Sequence, residues 1–337
     1  MDCVDFGITS ASKFSKSPRN TPRARSANGG MSGGFARTTF MDNSRLKVDN
    51  AVIMAAGLSS RFAPLSYEKP KGLIVVKGEV LIERQIRQLL EAGIADITVV
   101  VGYLKESFSY LKQKFGVRII DNDDYYRYNN TSTLIRVLDK LNNTYICSSD
   151  NYFTQNVFEP TVDHAYYAAT YFPGSSTEWG VICNSDGRII SIDHSPIDEW
   201  CMMGHVFFDA EFSSKFRNIL QEEYKLESTR KELWESVYER HLLELDMNMR
   251  KYEDGIVLEF DSIDDLRKFD STYIEDSGSA VMRLICRALN CSESDISGIK
   301  STACSDDLLE IQFMCQGWEY AYKHSISQIQ QLGAKQP

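Results

Sequence analysis

A chain of 337 residues with 43% hydrophobic content can bury a large core, alone or with a small second domain, which excludes global disorder. Its formal charge of −10 excludes a surface that neutralises nucleic-acid phosphates along its length, so any anionic substrate must meet a local cationic pocket. The eight cysteines (Cys3, Cys147, Cys183, Cys201, Cys286, Cys291, Cys304 and Cys315) include no C-x-x-C pair, and free thiols in a reducing cytoplasm are expected, with neither a zinc site nor a disulfide framework.

Residues 1–48 are rich in Ser, Gly, Arg and Thr and lack apolar periodicity, a composition that predicts a disordered leader. Its basic excess mimics an organelle presequence without the amphipathic face such peptides need, and Met31 and Met41 offer alternative starts. No apolar run approaches the ~18 residues of a membrane span. Next, Ala51-Val52-Ile53-Met54 reads as a strand of a buried parallel sheet, and Gly57 to Ser60 form a turn whose amides can converge on phosphate oxygens. Arg61, Lys69 and Lys71 bring positive charge to the same place. Taken alone, an Ala-Ala-Gly turn is common and loop lysines are usually solvated; the stretch is neither a Walker loop nor the G-x-G-x-x-G of dinucleotide folds.

Ile82, Ile86, Leu89 and Leu90 recur at helical spacing, Gly93 stops that helix, and Ile97 to Val101 form a strand. A second unit follows: Tyr110 and Leu111 on a helix, Val117 to Ile120 a strand, Leu134 to Leu141 a helix, and Tyr145 to Cys147 a strand running out at Asp150. Alternating strands and helices predict a three-layer α/β sandwich with ligands at the carboxyl ends of the strands. After residue 165 the strands shorten (Tyr166 to Phe172, Trp179 to Cys183, Ile189 to Ile192, Met202 to Phe208), a half expected to form the acceptor side of a cleft. From 276 to 337 a small α+β unit is expected, with Val281, Leu284, Ile285 and Leu289 on one helix face. Within it, a tight hairpin joins Leu308 to Cys315 with Trp318 to Lys323 across Gln316-Gly317.

The run Met54-Ala-Ala-Gly-Leu-Ser-Ser-Arg-Phe-Ala-Pro-Leu-Ser-Tyr-Glu-Lys-Pro-Lys71 resembles the signature of nucleotidyltransferases that activate a phosphorylated small molecule with an NTP, A-A-G-x-x-[ST]-R-[FL]-x-P-L followed by P-K. Val101-Gly102-Tyr103-Leu104-Lys105-Glu106, Tyr128-Asn129-Asn130, Ser149-Asp150-Asn151-Tyr152 and Glu178-Trp179 narrow this to the bacterial phosphocholine cytidylyltransferases, whose order and spacing they resemble over about residues 50 to 270. The resemblance implies a Rossmann-like α/β/α sandwich with a mostly parallel mixed sheet over residues 49–272. It also implies attack of a phosphate or phosphonate oxygen on the α-phosphorus of CTP, with Mg²⁺ as cofactor. A phosphomonoester, with a second pKa near ~6, needs no general base at neutral pH.

Carried over residue by residue, the resemblance makes Lys71, Arg61 and Asp150 catalytic. Nucleotide binding falls to Ala55, Ala56, Gly57, Ser59, Ser60, Arg61, Gly102, Tyr103, Asn130 and Ser132, with Asn129 beside them. Lys69 is additional to the pattern. Glu178, Trp179, Trp234 and Glu235 fall to the acceptor, and Asp150 and Glu235 to the metal. Several of these have plainer readings: Asn129, Asn130 and Ser132 as helix caps, Trp234 as core, and Asp209 as an N-cap rather than a second metal carboxylate. Leu233 stands where the family has a tyrosine, which keeps 2-aminoethylphosphonate open beside phosphocholine as the acceptor. A sugar 1-phosphate acceptor, a non-catalytic nucleotide-binding protein and a homo-oligomer also stay open. The tail resembles the opening of the choline-kinase and aminoglycoside-phosphotransferase fold. It has Ser301 to Asp306 in place of that family's glycine-rich loop and no chain for the later catalytic residues, so no kinase activity is expected.

Overall fold

The computed structural model describes residues 45–304 and 307–334. Most of the stretch read as a leader lies outside the described residues, and so do Ser305 and Asp306. The last leader residues are ordered: Leu46–Lys47 pairs with Thr161–Val162, and Val48 is buried.

Four parallel strands form the heart of the main sheet: β1 (Asn50–Ala55), β2 (Ile97–Val101), β3 (Arg118–Asp121) and β4 (Thr144–Ser148). A short strand β5 (Asn151–Phe153) leaves this sheet. The chain then adds β6 (Tyr166–Ser175), β7 (Gly180–Cys183), β8 (Ile189–Asp193), β9 (Ile197–Phe208) and β10 (Asn248–Tyr252), giving the order β8-β7-β9-β4-β1-β2-β3 with β6 on β9 and β10 on β6. Since β1 continues outward through β2 and β3 on one side while β4 lies on its other side, the connections diverge at the carboxyl end of β1. That is the place where open α/β sheets bind ligands.

Alternation along β1 sends Ala51 and Ile53 to one face and Val52 to the other. The first face is covered by helix α2 (Leu81–Glu91), whose Ile82, Ile86 and Leu89 are wholly buried, and Gly93 ends it at φ 80° as expected. The second is covered by α3 (Ala210–Glu223) and α4 (Trp234–Arg240) through Phe212, Phe216, Trp234 and Val237. Asp209 caps α3, its carboxylate accepting from the Phe212 amide at 2.8 Å.

Strand β11 (Val257–Glu259) runs antiparallel to β5 and sets Glu259 opposite Asn151. Helix α5 (Ala280–Leu289) precedes a four-stranded antiparallel sheet of β12 (Ile296–Cys304), β13 (Asp307–Cys315), β14 (Trp318–Lys323) and β15 (Gln328–Ala334). The expected hairpin is the β13–β14 turn, with Gln316 at φ 50° and Gly317 at φ 83°. This tail does not stand apart. Val281, Met282, Ile285, Ile311 and Phe313 share one apolar core with Phe62, Leu65, Ile74 and Leu81 of the signature region.

Candidate active site

The signature segment leaves β1 at Ala55, passes through Ser59 in the left-handed region at φ 51°, and makes a 3₁₀ turn (Ser60–Phe62) and one helical turn, α1 (Leu65–Glu68). Phe62 and Leu65 are buried beneath it, so the turn is pinned from below while Ser60 and Arg61 face outward. Gly102 at the end of β2 is required by close approach: a Cβ there would lie 2.7 Å from the Ala56 carbonyl oxygen and 2.8 Å from Tyr125. The next amide, Tyr103, donates to that same carbonyl at 3.0 Å. Gly72 is equally constrained by Ser149, 2.9 Å from where its Cβ would stand. These contacts set the ends of β1, β2 and β4 around a cavity of about 690 Å³ whose walls include Ala55, Ala56, Gly57, Ser59, Ser60, Arg61, Lys71, Asn130, Ser132 and Asp150.

Lys71 is 5% exposed and carries the charge at the foot of this cavity. Its Nζ donates to Asp150 Oδ2 at 3.0 Å and lies 3.6 Å from Asp261 Oδ1 and 3.9 Å from Glu259 Oε1. Asp261 also accepts from Arg61 at 2.8 Å, while Arg61 keeps its side chain 74% exposed. The Asp150 turn is held by α2: Gln85 Nε2 donates to the Ser148 and Asn151 carbonyls, both at 2.8 Å. Burial works against the Lys71 ammonium, but Asp150, Glu259 and Asp261 together raise its pKa. Burial likewise opposes the Asp150 carboxylate, and Lys71 nevertheless keeps it below the usual range. Glu259 is pushed up to about 8, first by the neighbouring Asp150 charge and then by burial. Burial, then Asp261, raises Glu178.

Glu259 and Asp261 are the site residues the sequence reading missed. The Glu-Phe-Asp spacing, which sends two carboxylates to one side of an extended segment, was the available signal. Asp150 Oδ1 is buried without a hydrogen-bond partner, an acceptor ready for a cation. Among the described residues no group of three or more His, Cys, Asp or Glu is arranged to hold a metal ion, so a cation here would rest on Asp150 and on oxygens of the bound triphosphate.

The structure gives Trp234 the plainer of its two readings and places Glu235 differently from the resemblance. Trp234 is 1% exposed, stacked on Tyr167 at 5.9 Å and packed edge-on against Phe208 and Phe216, so its indole is core rather than an acceptor wall. Glu235 accepts from Tyr167 Oη at 3.1 Å and Asn130 Nδ2 at 3.3 Å, and burial raises its carboxyl to about 7. It is not among the carboxylates that meet Lys71. Asn130 lines the cavity, yet its Oδ1 already takes the Trp234 amide at 2.6 Å, and Ser132 Oγ donates to the Asn129 carbonyl at 2.7 Å. Trp179 is half-buried with His194 edge-on at 4.6 Å, and Leu233 lines the cavity.

The sequence pattern of the MobA-like NTP transferase domain matches residues 51–221, which takes in the signature turn, Lys71 and Asp150. The chain belongs to this family. The transferase is 34% identical over 220 residues to a choline-phosphate cytidylyltransferase of Streptococcus pneumoniae, covering 65% of this chain and 96% of that one. It is also 34% identical over 229 residues to a 2-aminoethylphosphonate cytidylyltransferase of Lancefieldella rimae, covering 67% and 93%. The solved structure of CTP:phosphocholine cytidylyltransferase from Streptococcus pneumoniae superposes with a TM-score of 0.65 at 34% identity, over 67% of this chain and 99% of that chain. The chain is a nucleotidyltransferase with the nucleotidyltransferase fold. Among its described residues no helix is long and apolar enough to cross a membrane.

The crowded carboxylates predict a pH effect in this transferase. A glutamate raised from 4.5 to about 8 keeps its proton in the folded chain where the unfolded chain has lost it. Its contribution to stability is therefore complete below the unfolded value and is lost as pH rises through 8. Without divalent cations, the melting temperature of wild type should fall between pH 5 and 8, and Glu259→Gln should flatten part of that fall. Parallel curves for the two proteins would mean that Glu259 titrates like a free glutamate.

Proposed function

We propose that this nucleotidyltransferase transfers the cytidylyl group of CTP to phosphocholine, forming CDP-choline and pyrophosphate. The observation that carries the reading is the buried Lys71, paired with Asp150 in a cavity that the Ala56 to Arg61 turn also lines. In this reading the turn's amides and Arg61 hold the β and γ phosphates, and Lys71 bears on the α-phosphate. An acceptor phosphate oxygen forms a bond to the α-phosphorus as the bond to the bridging oxygen breaks, and pyrophosphate leaves. The acceptor is already a dianion, so no proton must be removed, and the protein's work is positioning and charge stabilisation.

The unpartnered Asp150 oxygen suits a hard divalent cation, Mg²⁺ first, which takes one or two carboxylates and completes its shell with phosphate oxygens and water, while Glu259 and Asp261 stand around Lys71. When bound, the cation would neutralise charge on the triphosphate and on the leaving pyrophosphate. Among the described residues Asp150, Glu178, Glu259 and Asp261 crowd around Lys71 and Arg61, a repulsion that raises Glu259 and, second to burial, Glu178, and that a bound cation would relieve. Such a reaction draws on the cytoplasmic CTP pool.

A second reading keeps this chemistry and takes 2-aminoethylphosphonate. It is favoured by Leu233 on the cavity wall and by the burial of Trp234, which leave a quaternary ammonium fewer aromatic faces, while Glu178 offers a primary ammonium a carboxylate. Pyrophosphate release from CTP and Mg²⁺ should be measured with phosphocholine, 2-aminoethylphosphonate and glucose 1-phosphate separately, with product masses checked. Preference for phosphocholine supports the first reading, and release only with the sugar phosphate sinks both. A cation over an indole face contributes about 0.5–2 kcal/mol, so Trp179→Ala should raise the phosphocholine KM about 2- to 30-fold and leave the CTP KM in place. An equal rise in both constants would take Trp179 out of the acceptor pocket.

A further inference from the structure

The signature segment is held from an unexpected direction. Glu68, the last residue of α1 and three positions before Lys71, reaches the N-terminus of α5, more than 200 residues away in sequence. Its carboxylate accepts from Ser279 Oγ at 2.5 Å, the Ala280 amide at 3.0 Å and the Val281 amide at 3.1 Å. The free amides and positive end of a ten-residue helix are thus taken up by a carboxylate of the nucleotide-binding loop. Burial opposes ionisation, but the Ser279 hydroxyl and the two amides hold Glu68 below its ordinary pKa. Ser279 itself caps α5 through the Met282 amide at 3.1 Å, so the junction serves both elements.

Two further contacts point the same way. Tyr67 packs on His324 with ring centroids 5.1 Å apart, and Phe62 and Leu65 share a core with Val281, Met282 and Ile285. The match to the pneumococcal relative takes in 96% of that protein but 65% of this one, so this chain carries an added portion which that relative has no length to match.

We propose that the C-terminal module, residues 276–334, is a brace for the nucleotide-binding loop, and that Glu68 is a positioning residue through which it sets the Ser60 to Lys71 segment for the triphosphate. Resting on the reading that this loop binds CTP, the proposal adds to it a role for the tail. Loss of the three hydrogen bonds leaves the loop's backbone amides and Arg61 in place chemically but frees them to move, so nucleotide affinity should suffer before acceptor affinity.

The experiment measures the CTP Kd by calorimetry, both KM values and kcat, and the melting temperature for full-length wild type, Glu68→Ala, Glu68→Gln and Ser279→Ala. Hydrogen bonds to a charged group predict a CTP Kd about tenfold weaker in Glu68→Ala and about threefold weaker in Ser279→Ala, with the acceptor KM unchanged and Glu68→Gln, whose one amide oxygen can still accept from Ser279 and Val281, restoring part of the affinity. Unchanged CTP affinity in Glu68→Ala, even with a lowered melting temperature, would reduce the contact to a tie that merely secures the tail and overturn the brace. Should Glu68→Ala fail to fold, unchanged affinity in Ser279→Ala does the same. Wild type that binds no CTP would overturn the underlying functional reading, and the brace with it.

Discussion

Asp150→Asn should abolish turnover, by about 10³-fold or more, in a protein that still folds. Asparagine keeps the size of the side chain, and the turn that carries it is held independently by Gln85 through the Ser148 and Asn151 carbonyls. Lys71 loses its 3.0 Å partner but keeps Glu259 and Asp261 within 3.9 Å. Asp150 is also the largest cause of the raised Glu259 pKa, so its neutralisation relieves a repulsion as it breaks an ion pair. The two effects offset in stability, whereas the reaction loses a carboxylate whose Oδ1 is buried without a hydrogen-bond partner and so is free to take a cation. Pyrophosphate release together with thermal melting checks this. Near-normal turnover would remove Asp150 from the metal site, and a collapse of the fold would make its role structural.

Lys71→Met is expected to be costly in both respects. It strands three carboxylates around an apolar side chain at a position 5% exposed, and breaking a buried pair in this way costs about 3–5 kcal/mol. The loss should be largest above pH 8, where Glu259 is ionised, and should shrink on acidification as that carboxyl takes up its proton. A divalent cation should restore part of the stability without restoring turnover, because it replaces the charge but not the contact to the transferring phosphate. Urea unfolding at pH 5 and 8, with and without Mg²⁺, reads all of this. Equal stability of mutant and wild type at both pH values would mean that the carboxylates are solvated well enough to do without the lysine.

Much of the architecture was legible because local signals and tertiary needs agree. Ile97 to Val101 is a run of β-branched residues, apolar but for Thr98, and is buried throughout, and the Gln316-Gly317 turn supplies the two positive φ angles its hairpin needs. Lys71 and Asp150 could be read because each closes a strand-and-turn pattern that the superfamily shares. Glu259 went unread, since the Glu-Phe-Asp spacing says only that two carboxylates share a side, and it is the pairing of two three-residue strands, β5 and β11, that brings Glu259 opposite Asn151 and next to Asp150. Gln85 and Gln88 of α2 belong to no motif, yet both are buried, and they bond to the Asn151 and Phe153 carbonyls. At Trp234 two sequence signals disagreed. The spacing of Trp234, Val237 and Tyr238 is that of a buried helix stripe, and the packing followed this period rather than the motif. Strand β12 went unread because its Ser, Gly, Lys and Thr residues lack an apolar alternation, and its pairing with β13 supplies what its composition does not.

The shared core beneath the signature turn also bears on how the protein behaves when handled. Cutting the chain back to the length of its cytidylyltransferase relatives would uncover Phe62, Leu65, Ile74 and Leu81, which are buried under α5 and the tail sheet. A contiguous apolar patch would then open on the underside of the loop that must stay aligned for chemistry, and such patches drive self-association. For this enzyme, solubility and catalytic competence are set at the same seam, and a truncated version would be expected to forfeit them together.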